Sequence, residues 1–511
     1  MTRRWWVMAA VAAGWFGAAA AVAVNPRPEG PPPAEIAEEA AQFAPQLLLF
    51  AQAVQREYVT EVDRVEILVA ALGGLYEAAR QPLPPGLRDD LKRLTEGEQL
   101  MYLFRRRAEL GRVEALAGRK AIAIAMQASV AALDPHCGVA GPSRRGLPFD
   151  ETEFGAGLEF ANAPSSDRDA GTRAIDLIPS AILIRSVTIG SPAQKAGLRP
   201  GDRIVRVDGK PCDKLTPVEY VGAFLSNQRG EGRPRTLDVV RDGAAPFAVK
   251  LAPGPYYPEC VYGARREPDG QWDYLLDPAG RIGYIRVGSI EVLAAVQFAD
   301  ALQSLVNQKA RGLVLDLRWC PGGYLDPAVS LTKLLLRPGQ PVASIQRRGE
   351  RMVPVEAAPD GEPVVDLPLV VLINGETMGG GEMVAAALQD HKRGILVGER
   401  TFGKATVQQS LEHPVEGIPF KITKGLLRPP GGRNLQKPRN ARSTDVWGVS
   451  PDPGRWLPLS PEAGARLKEW WTWQALRPAN DRTALPTDDP DSDPQLKAAL
   501  DILRELARPQ A

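Results

Sequence analysis

Residues 371–390 read VLINGETMGGGEMVAAALQD. A short apolar run passes through Asn374 and Gly375 into Gly379-Gly380-Gly381, and the glycines open onto an alanine-rich stretch of helical pattern. A strand, a glycine loop and a helix in that order present backbone N–H groups where the helix begins, and such groups favour a negative charge. The segments on either side have the same texture. RIGYIRV, GLVLDLRW, LVVLING and GILVG read as strands. EVLAAVQFADALQSLVNQ, AVSLTKLLL and EMVAAALQD read as helices between them. Such alternation predicts an α/β core with a mainly parallel sheet and covering helices.

Working outward, the chain has 511 residues, enough for about three domains. Its formal net charge is +1, so no basic excess argues for nucleic acid. Thr2-Arg3-Arg4 precede an uncharged run from Trp5 to Val24, and Ala21-Val22-Ala23 suits a signal peptidase. The run is also long enough to span a membrane. Export is expected on either reading, to the periplasm or to an anchored position facing outward, with membrane contact only through this leader. Four cysteines, at 137, 212, 260 and 320, allow three disulfide connectivities in an exported chain and match no metal spacing. Three histidines leave little material for a zinc site or a histidine triad.

The organisation expected is a leader over residues 1–24, a proline-rich linker over 25–33 and a helical region over 34–148. A β-rich domain over 149–255, an α/β core over 256–453 and a tail with a docking helix over 454–511 follow. Ile36, Ala40, Phe43, Leu47, Phe50 and Val54 recur at helical spacing in the first region. In the tail, Leu496, Ala499, Leu500 and Leu503 share one helix face. Trp470, Trp471 and Trp473 read more readily as core than as an interface.

Residues 398–408, GERTFGKATVQ, hold most of a phosphate-loop pattern, but Ala405 stands where a hydroxyl must hold magnesium and a strand follows instead of a helix. No nucleotide, metal or other cofactor is expected, and Lys404 needs another role. In residues 313–331, a buried strand ends in Pro321-Gly322-Gly323, a turn whose amides can face an oxyanion. Phe154, Gly155, Ala156, Gly157 and Leu158 open a strand in the manner of a loop that receives a peptide's terminal carboxylate.

Four stretches carry a resemblance. SPAQKAGLRPGDRIVRVDGK, residues 191–210, resembles a PDZ domain. LVLDLRWCPGG, VLINGETMGGGEMVAAALQD and VGERTFGKATVQ resemble the core of the carboxy-terminal processing peptidases, or tail-specific proteases. LDPH and RIGYIRVGSI stand in the same order, so the resemblance covers roughly residues 58–453. It implies a serine-type endopeptidase acting on proteins with accessible C-termini. A buried lysine would take the proton from a serine hydroxyl. By resemblance Lys404 is that base, and Gln408, four residues along a strand, orients it. The oxyanion donors are the amide of Gly380 and one from Gly322 or Gly323, and Phe154–Leu158 capture the C-terminus.

One position departs from the pattern. The family loop usually reads S-A-S-A-S-E and its middle serine attacks, whereas this chain has TMGGGE over residues 377–382. Anchoring on Glu382, Asp390 and Lys404 puts Gly379 at the nucleophile position. Thr377 and Cys320 are the nearest candidates to replace it; Cys137 beside His136, and Ser410 beyond Gln408, are weaker ones. Two readings follow: a serine-type peptidase with an altered nucleophile, and a pseudoprotease that holds C-terminal tails without cutting them. A third, a structural partner of an active relative, would use the sheet or the tryptophan helix. Nothing in the sequence fixes an oligomeric state.

Overall fold

The computed structural model describes residues 32–139, 153–160, 180–188, 190–199, 201–215, 233–267, 271–356, 365–413, 417–438, 440–442, 444–476 and 493–507. The leader at 1–24 lies outside the described residues. Among them no helix is long and apolar enough to cross a membrane. The chain forms two compact units.

The first unit is built from helices at Ala34–Glu57, Arg64–Ala78, Leu87–Arg93, Glu96–Glu109 and Arg119–Leu133. Ile36, Ala40, Phe43, Leu47, Phe50 and Val54 are all buried, as their spacing predicts. The helical region expected over 34–148 is not one continuous run, and its first helix ends at Glu57. Asp63 restarts it, its carboxylate accepting from the Val65 amide at 2.9 Å. The arginine-rich stretch near residue 100 has a plain structural account. Thr95 and Glu98 form a capping box, and buried Arg107 pairs with Glu39 and donates to the Leu116 carbonyl.

The second unit holds the α/β core. Strands β1 (Ile282–Val287), β2 (Gly312–Asp316), β3 (Leu369–Ile373) and β4 (Ile395–Gly398) pair in that order, each parallel to the next. Every residue of β1, β2 and β3 is buried, the reason these strands read as unbroken apolar runs. Helices α1 (Ala294–Asn307), α2 (Leu325–Lys333) and α3 (Gly380–Asp390) cover one face, packing Phe298, Leu302, Val329, Met383 and Val384 against Leu313, Leu315 and Val371. Alternate residues point the other way. Tyr284, Val314, Val370 and Leu372 meet Trp471 of α4 (Pro461–Leu476) and Leu496, Ala499 and Leu503 of α5 (Pro494–Leu506). Trp471 stacks on Tyr284 with ring centroids 4.9 Å apart, so this tryptophan is core.

Within the same unit a smaller sheet orders its strands Leu158–Phe160, Ile182–Val187, Arg203–Val207, Arg235–Val240 and Phe247–Leu251. Ile184, Ile204, Leu237, Val239 and Leu251 fill its core. Ser191 caps the short helix Pro192–Lys195, accepting from the Gln194 amide.

One placement differs from the sequence reading. Lys404 is not on a strand. It lies in the loop ahead of β5 (Thr406–Glu412), which pairs with β6 (Pro419–Arg428). The four-residue spacing to Gln408 therefore does not place the two side chains on one strand face. No disulfide joins any of the four cysteines, all of which are buried.

Candidate active site and tail-binding edge

The glycine loop between β3 and α3 turns sharply. Gly379 has φ 52° and ψ −111°, a conformation costly for any residue with a Cβ, so a glycine here relieves strain. A Cβ built on Gly379 would meet no atom within 4 Å. The position where a nucleophile would stand has room for one.

Glu382, one turn into α3, organises the surroundings. Its side chain is fully buried, yet it accepts four hydrogen bonds. Oε2 receives the amides of Gly379 at 3.1 Å and Lys404 at 2.7 Å. Oε1 receives the Gly403 amide at 2.7 Å and the Thr401 hydroxyl at 2.5 Å. One carboxylate thus binds the glycine loop to the lysine loop. Burial pushes its pKa up to about 7, against the pull of its four donors. In the sequence Glu382 serves only as an alignment anchor. Its organising role depends on amides from two distant stretches, Gly379 and Gly403–Lys404, meeting at one point.

The second glycine turn lies beside the first. A Cβ on Gly322 would fall 2.7 Å from the Met378 carbonyl oxygen and 2.8 Å from the Gly380 nitrogen, so only glycine lets the backbones approach so closely. The Met378 amide donates to the Cys320 carbonyl at 2.9 Å and the Thr377 hydroxyl to the Leu317 carbonyl at 2.8 Å. Asn374 Oδ1 takes the Trp319 amide at 2.9 Å. Three bonds therefore lace residues 317–320 to residues 374–378. Of the two candidate donors in this turn, the Gly322 amide acts on the Cys320 thiol, drawing its pKa down against the effect of burial. The amides of Gly323 and Gly380 meet no acceptor among the described residues, and these two can face a developing oxyanion.

The turn is anchored from behind. Arg318 is fully buried, with its guanidinium held by Asp316 at 2.7 Å, Asp493 at 2.8 Å and Gln495 at 3.0 Å. Tyr284 donates its hydroxyl to Asp316 at 2.9 Å. Asp493 also caps α5, accepting from the Leu496 amide. The last helix is thereby tied to the segment that carries the oxyanion turn.

Neither neighbour of Gly379 replaces the missing hydroxyl. Thr377 is buried, its Oγ1 donating to the Leu317 carbonyl and accepting from the Asn374 amide. Cys320 is fully buried, and burial pushes its thiol up to about 12, so it holds its proton at neutral pH. Cys137 gives its thiol proton to Asp134 at 3.2 Å. Gln408 donates to Thr406 Oγ1 at 2.5 Å and Thr423 Oγ1 at 3.4 Å. Lys404 is half-buried beside this loop. Among the described residues no cluster of side chains could hold a metal ion.

Just ahead of the smaller sheet, residues 153–155 form a separate two-stranded pair with Gly254–Tyr256, and the chain then bends through Ala156 and Gly157. The carbonyls of Ala156 and Gly157 accept from the amides of Ala193 at 3.0 Å and Thr188 at 2.9 Å. Leu158 sits opposite Val187, one step beyond the bond between Thr188 and Gly157. In an antiparallel ladder that register turns the Leu158 N–H and C=O outward. Among the described residues the strand Leu158–Phe160 is the sheet's edge, so this backbone can take up another strand.

Residues 281–453 match the model of peptidase family S41, and residues 183–241 match that of a PDZ domain. Fold and site together define an S41 peptidase core joined to a PDZ domain. The carboxy-terminal processing protease CtpA of Bacillus subtilis (strain 168) is 31% identical over 275 residues, which is 54% of this chain and 53% of that protein. A carboxyl-terminal-processing protease of Synechocystis is 32% identical over 253 residues, covering 48% and 55% of the two. A solved photosystem II D1 C-terminal processing protease is 23% identical with a TM-score of 0.42, covering 85% of this chain and 98% of that one. Residues 281–453 carry the likeness to peptidase family S41, and the curated relatives they share it with are C-terminal processing proteases. It spans about half the length of the curated relatives it matches.

Proposed function

We propose that this chain is an exported tail-binding protein. It holds the accessible C-termini of other proteins on its PDZ edge and over a cleft that does not cut them. The observation that carries the reading is Gly379. At the position of the family's attacking serine there is space but no side chain, and the hydroxyl and thiol nearest in sequence, Thr377 and Cys320, are buried and committed. Removing the nucleophile from a coupled catalytic unit typically lowers the rate by about 10⁶. A tail would add to the outward edge of Leu158, its terminal carboxylate at the loop Phe154–Leu158, and its upstream residues would reach the Lys404 cleft. The export part of this reading rests on the leader sequence alone.

A second reading, a serine-type endopeptidase with an unusual nucleophile, draws on one observation: the cradle of Gly323 and Gly380 and the loop bearing Lys404 remain assembled around Glu382. One experiment separates the two. Wild type and Gly379→Ser are incubated with the same unfolded protein ending in a short apolar tail, and both cleavage and binding are followed. Binding by both with cleavage by Gly379→Ser alone supports the tail-binding reading. Comparable cleavage by wild type overturns it.

A further inference from the structure

The lysine loop has a neighbour that the cleavage chemistry does not use. A Cβ on Gly403 would lie 2.5 Å from Cδ1 of Trp447 and 2.8 Å from the Lys437 Cβ. The loop backbone, one residue before Lys404, therefore rests directly on these two residues. The Lys437 amide donates to the Gly403 carbonyl at 2.8 Å, and Gln436 Oε1 takes the Ala405 amide at 2.9 Å. Residues 436 and 437 thus border Lys404 on both sides along the chain. Two cations converge on the Trp447 indole. The Arg400 guanidinium lies 3.5 Å from the ring centroid and the Lys437 ammonium 5.1 Å. Such an arrangement holds long basic side chains in place against an aromatic surface.

Neither cation has a carboxylate partner among the described residues. Arg400 donates only to the Asp445 carbonyl, at 3.3 Å, and Lys437 is exposed. The imbalance extends along the segment: six Lys and Arg and no Asp or Glu occur between residues 423 and 444, in a chain whose overall charge is nearly balanced. Others of this set are engaged, Arg433 with Asp390 and Arg428 with Gln346. Two like charges on one ring repel each other, and a carboxylate laid between them would relieve that repulsion. Phe402, on the same loop, keeps 40% of its surface exposed and offers an apolar contact next to the charge.

We propose that Arg400 and Lys437, held on Trp447 beside Lys404, form a cationic rim that selects protein tails carrying an acidic residue where the tail crosses the lysine loop. The inference rests on the tail-binding reading above and names the class of tail. Because the Glu382 bonds put the lysine loop next to Gly379, the rim borders the place where a bound tail would present its carbonyl. An acidic side chain within a few residues of that carbonyl would meet both cations.

The test uses the full chain and a series of fluorescent, otherwise uncharged peptides that share one apolar C-terminus. Each peptide carries a single Glu at a different distance from the end, paired with a control that has Gln at the same place, and binding is followed by anisotropy. At one register the Glu peptide should bind about three- to tenfold tighter than its Gln twin, the size expected of a partly exposed charge contact. The preference should shrink as salt rises. It should vanish in the double variant Arg400→Gln/Lys437→Gln, survive in Lys437→Arg, and turn toward Lys peptides in Lys437→Glu. Equal binding of Glu and Gln peptides at every register by wild type overturns the inference and leaves tail binding standing. A preference that persists in the double variant also overturns it, because the acid is then read elsewhere. If no peptide of the series binds, the inference and the tail-binding reading fall together.

Discussion

The amides of Gly379 and Lys404 donate to one and the same oxygen atom, Oε2 of Glu382, at 3.1 and 2.7 Å. The glycine loop and the lysine loop are therefore fixed side by side although Gly379 has nothing to offer chemically. A scaffold that had merely decayed would have no reason to keep this bond set. A scaffold that binds a chain across the two loops needs it, because the spacing of the loops sets the shape of the cleft.

Restoring the serine should carry a stability cost of its own. The backbone at Gly379, with φ 52°, is strained for a side chain, while the space around it is open. Gly379→Ser and Gly379→Ala should each lower the unfolding free energy by about 1–3 kcal/mol. Urea denaturation of both variants beside wild type measures this. Equal losses place the effect in the backbone; a loss in Ser alone would mean that the hydroxyl meets an obstacle. Any cleavage gained by Gly379→Ser should disappear in Gly379→Ser/Lys404→Ala.

Glu382 predicts a pH dependence with a definite sign. Its ordinary value of 4.5 is raised to about 7 in the fold, chiefly by burial. Between those values the folded state binds the proton and the unfolded state releases it, so this group's contribution to stability falls as pH rises from about 4.5 to about 7. Below that window both states are protonated and the penalty is absent. Glu382→Gln removes the titration, and its denaturation midpoint should lack the wild-type decline across the window. The variant should also be less stable throughout, by about 2–4 kcal/mol. Even with its NH₂ turned toward Thr401, the amide would face the Gly403 N–H donor that the carboxylate now satisfies. A wild-type slope that survives in Glu382→Gln would assign the titration to another group.

Asp493 gives the opposite sign on the acid side. Burial alone would raise its pKa, but the charge and hydrogen bonds of Arg318 outweigh burial and hold it below its ordinary value of 3.8. Its contribution is present above that value and lost as pH falls through the depressed one. Asp493→Asn leaves the fully buried Arg318 with one carboxylate fewer and should cost about 3–5 kcal/mol in urea denaturation. A loss under about 1 kcal/mol would show that Asp316 and Gln495 suffice to hold the guanidinium.

The core was readable in the sequence where one local pattern determines one element. The run LVVLI must be a strand buried on both faces, and MVAAALQ must be a helix lying against it, because no other arrangement buries their apolar atoms. The sequence places Lys404 on a strand because the alternation in TVQQSL is continuous with it in a one-dimensional pattern. Where the ladder to β6 begins depends on pairing that the pattern does not contain. Glu382 and Asp493 were hidden for a related reason. A glutamate in a helix and an aspartate before one are ordinary solvated residues until amides from residues 379, 403 and 404 converge on the first, and Arg318, 175 positions away, reaches the second. The edge at Leu158 likewise depends on its register with Val187.

That register supplies a selective test of tail binding. Leu158 turns its N–H away from the Ile182–Val187 strand, so the sheet does not use it, whereas an added strand would need it. Proline lacks the N–H and is tolerated on an edge whose donor faces outward. Leu158→Pro should therefore lose at least tenfold in affinity for a disordered peptide with an unmodified C-terminus, while its thermal midpoint stays within a few degrees of wild type. Amidating the C-terminus of the same peptide should weaken wild-type binding by a comparable factor, because the loop at Phe154–Leu158 then receives no carboxylate. Unchanged affinity in both experiments would move the tail-binding site off this edge. Loss in Leu158→Pro with no effect of amidation would keep strand addition and discard recognition of the terminus itself.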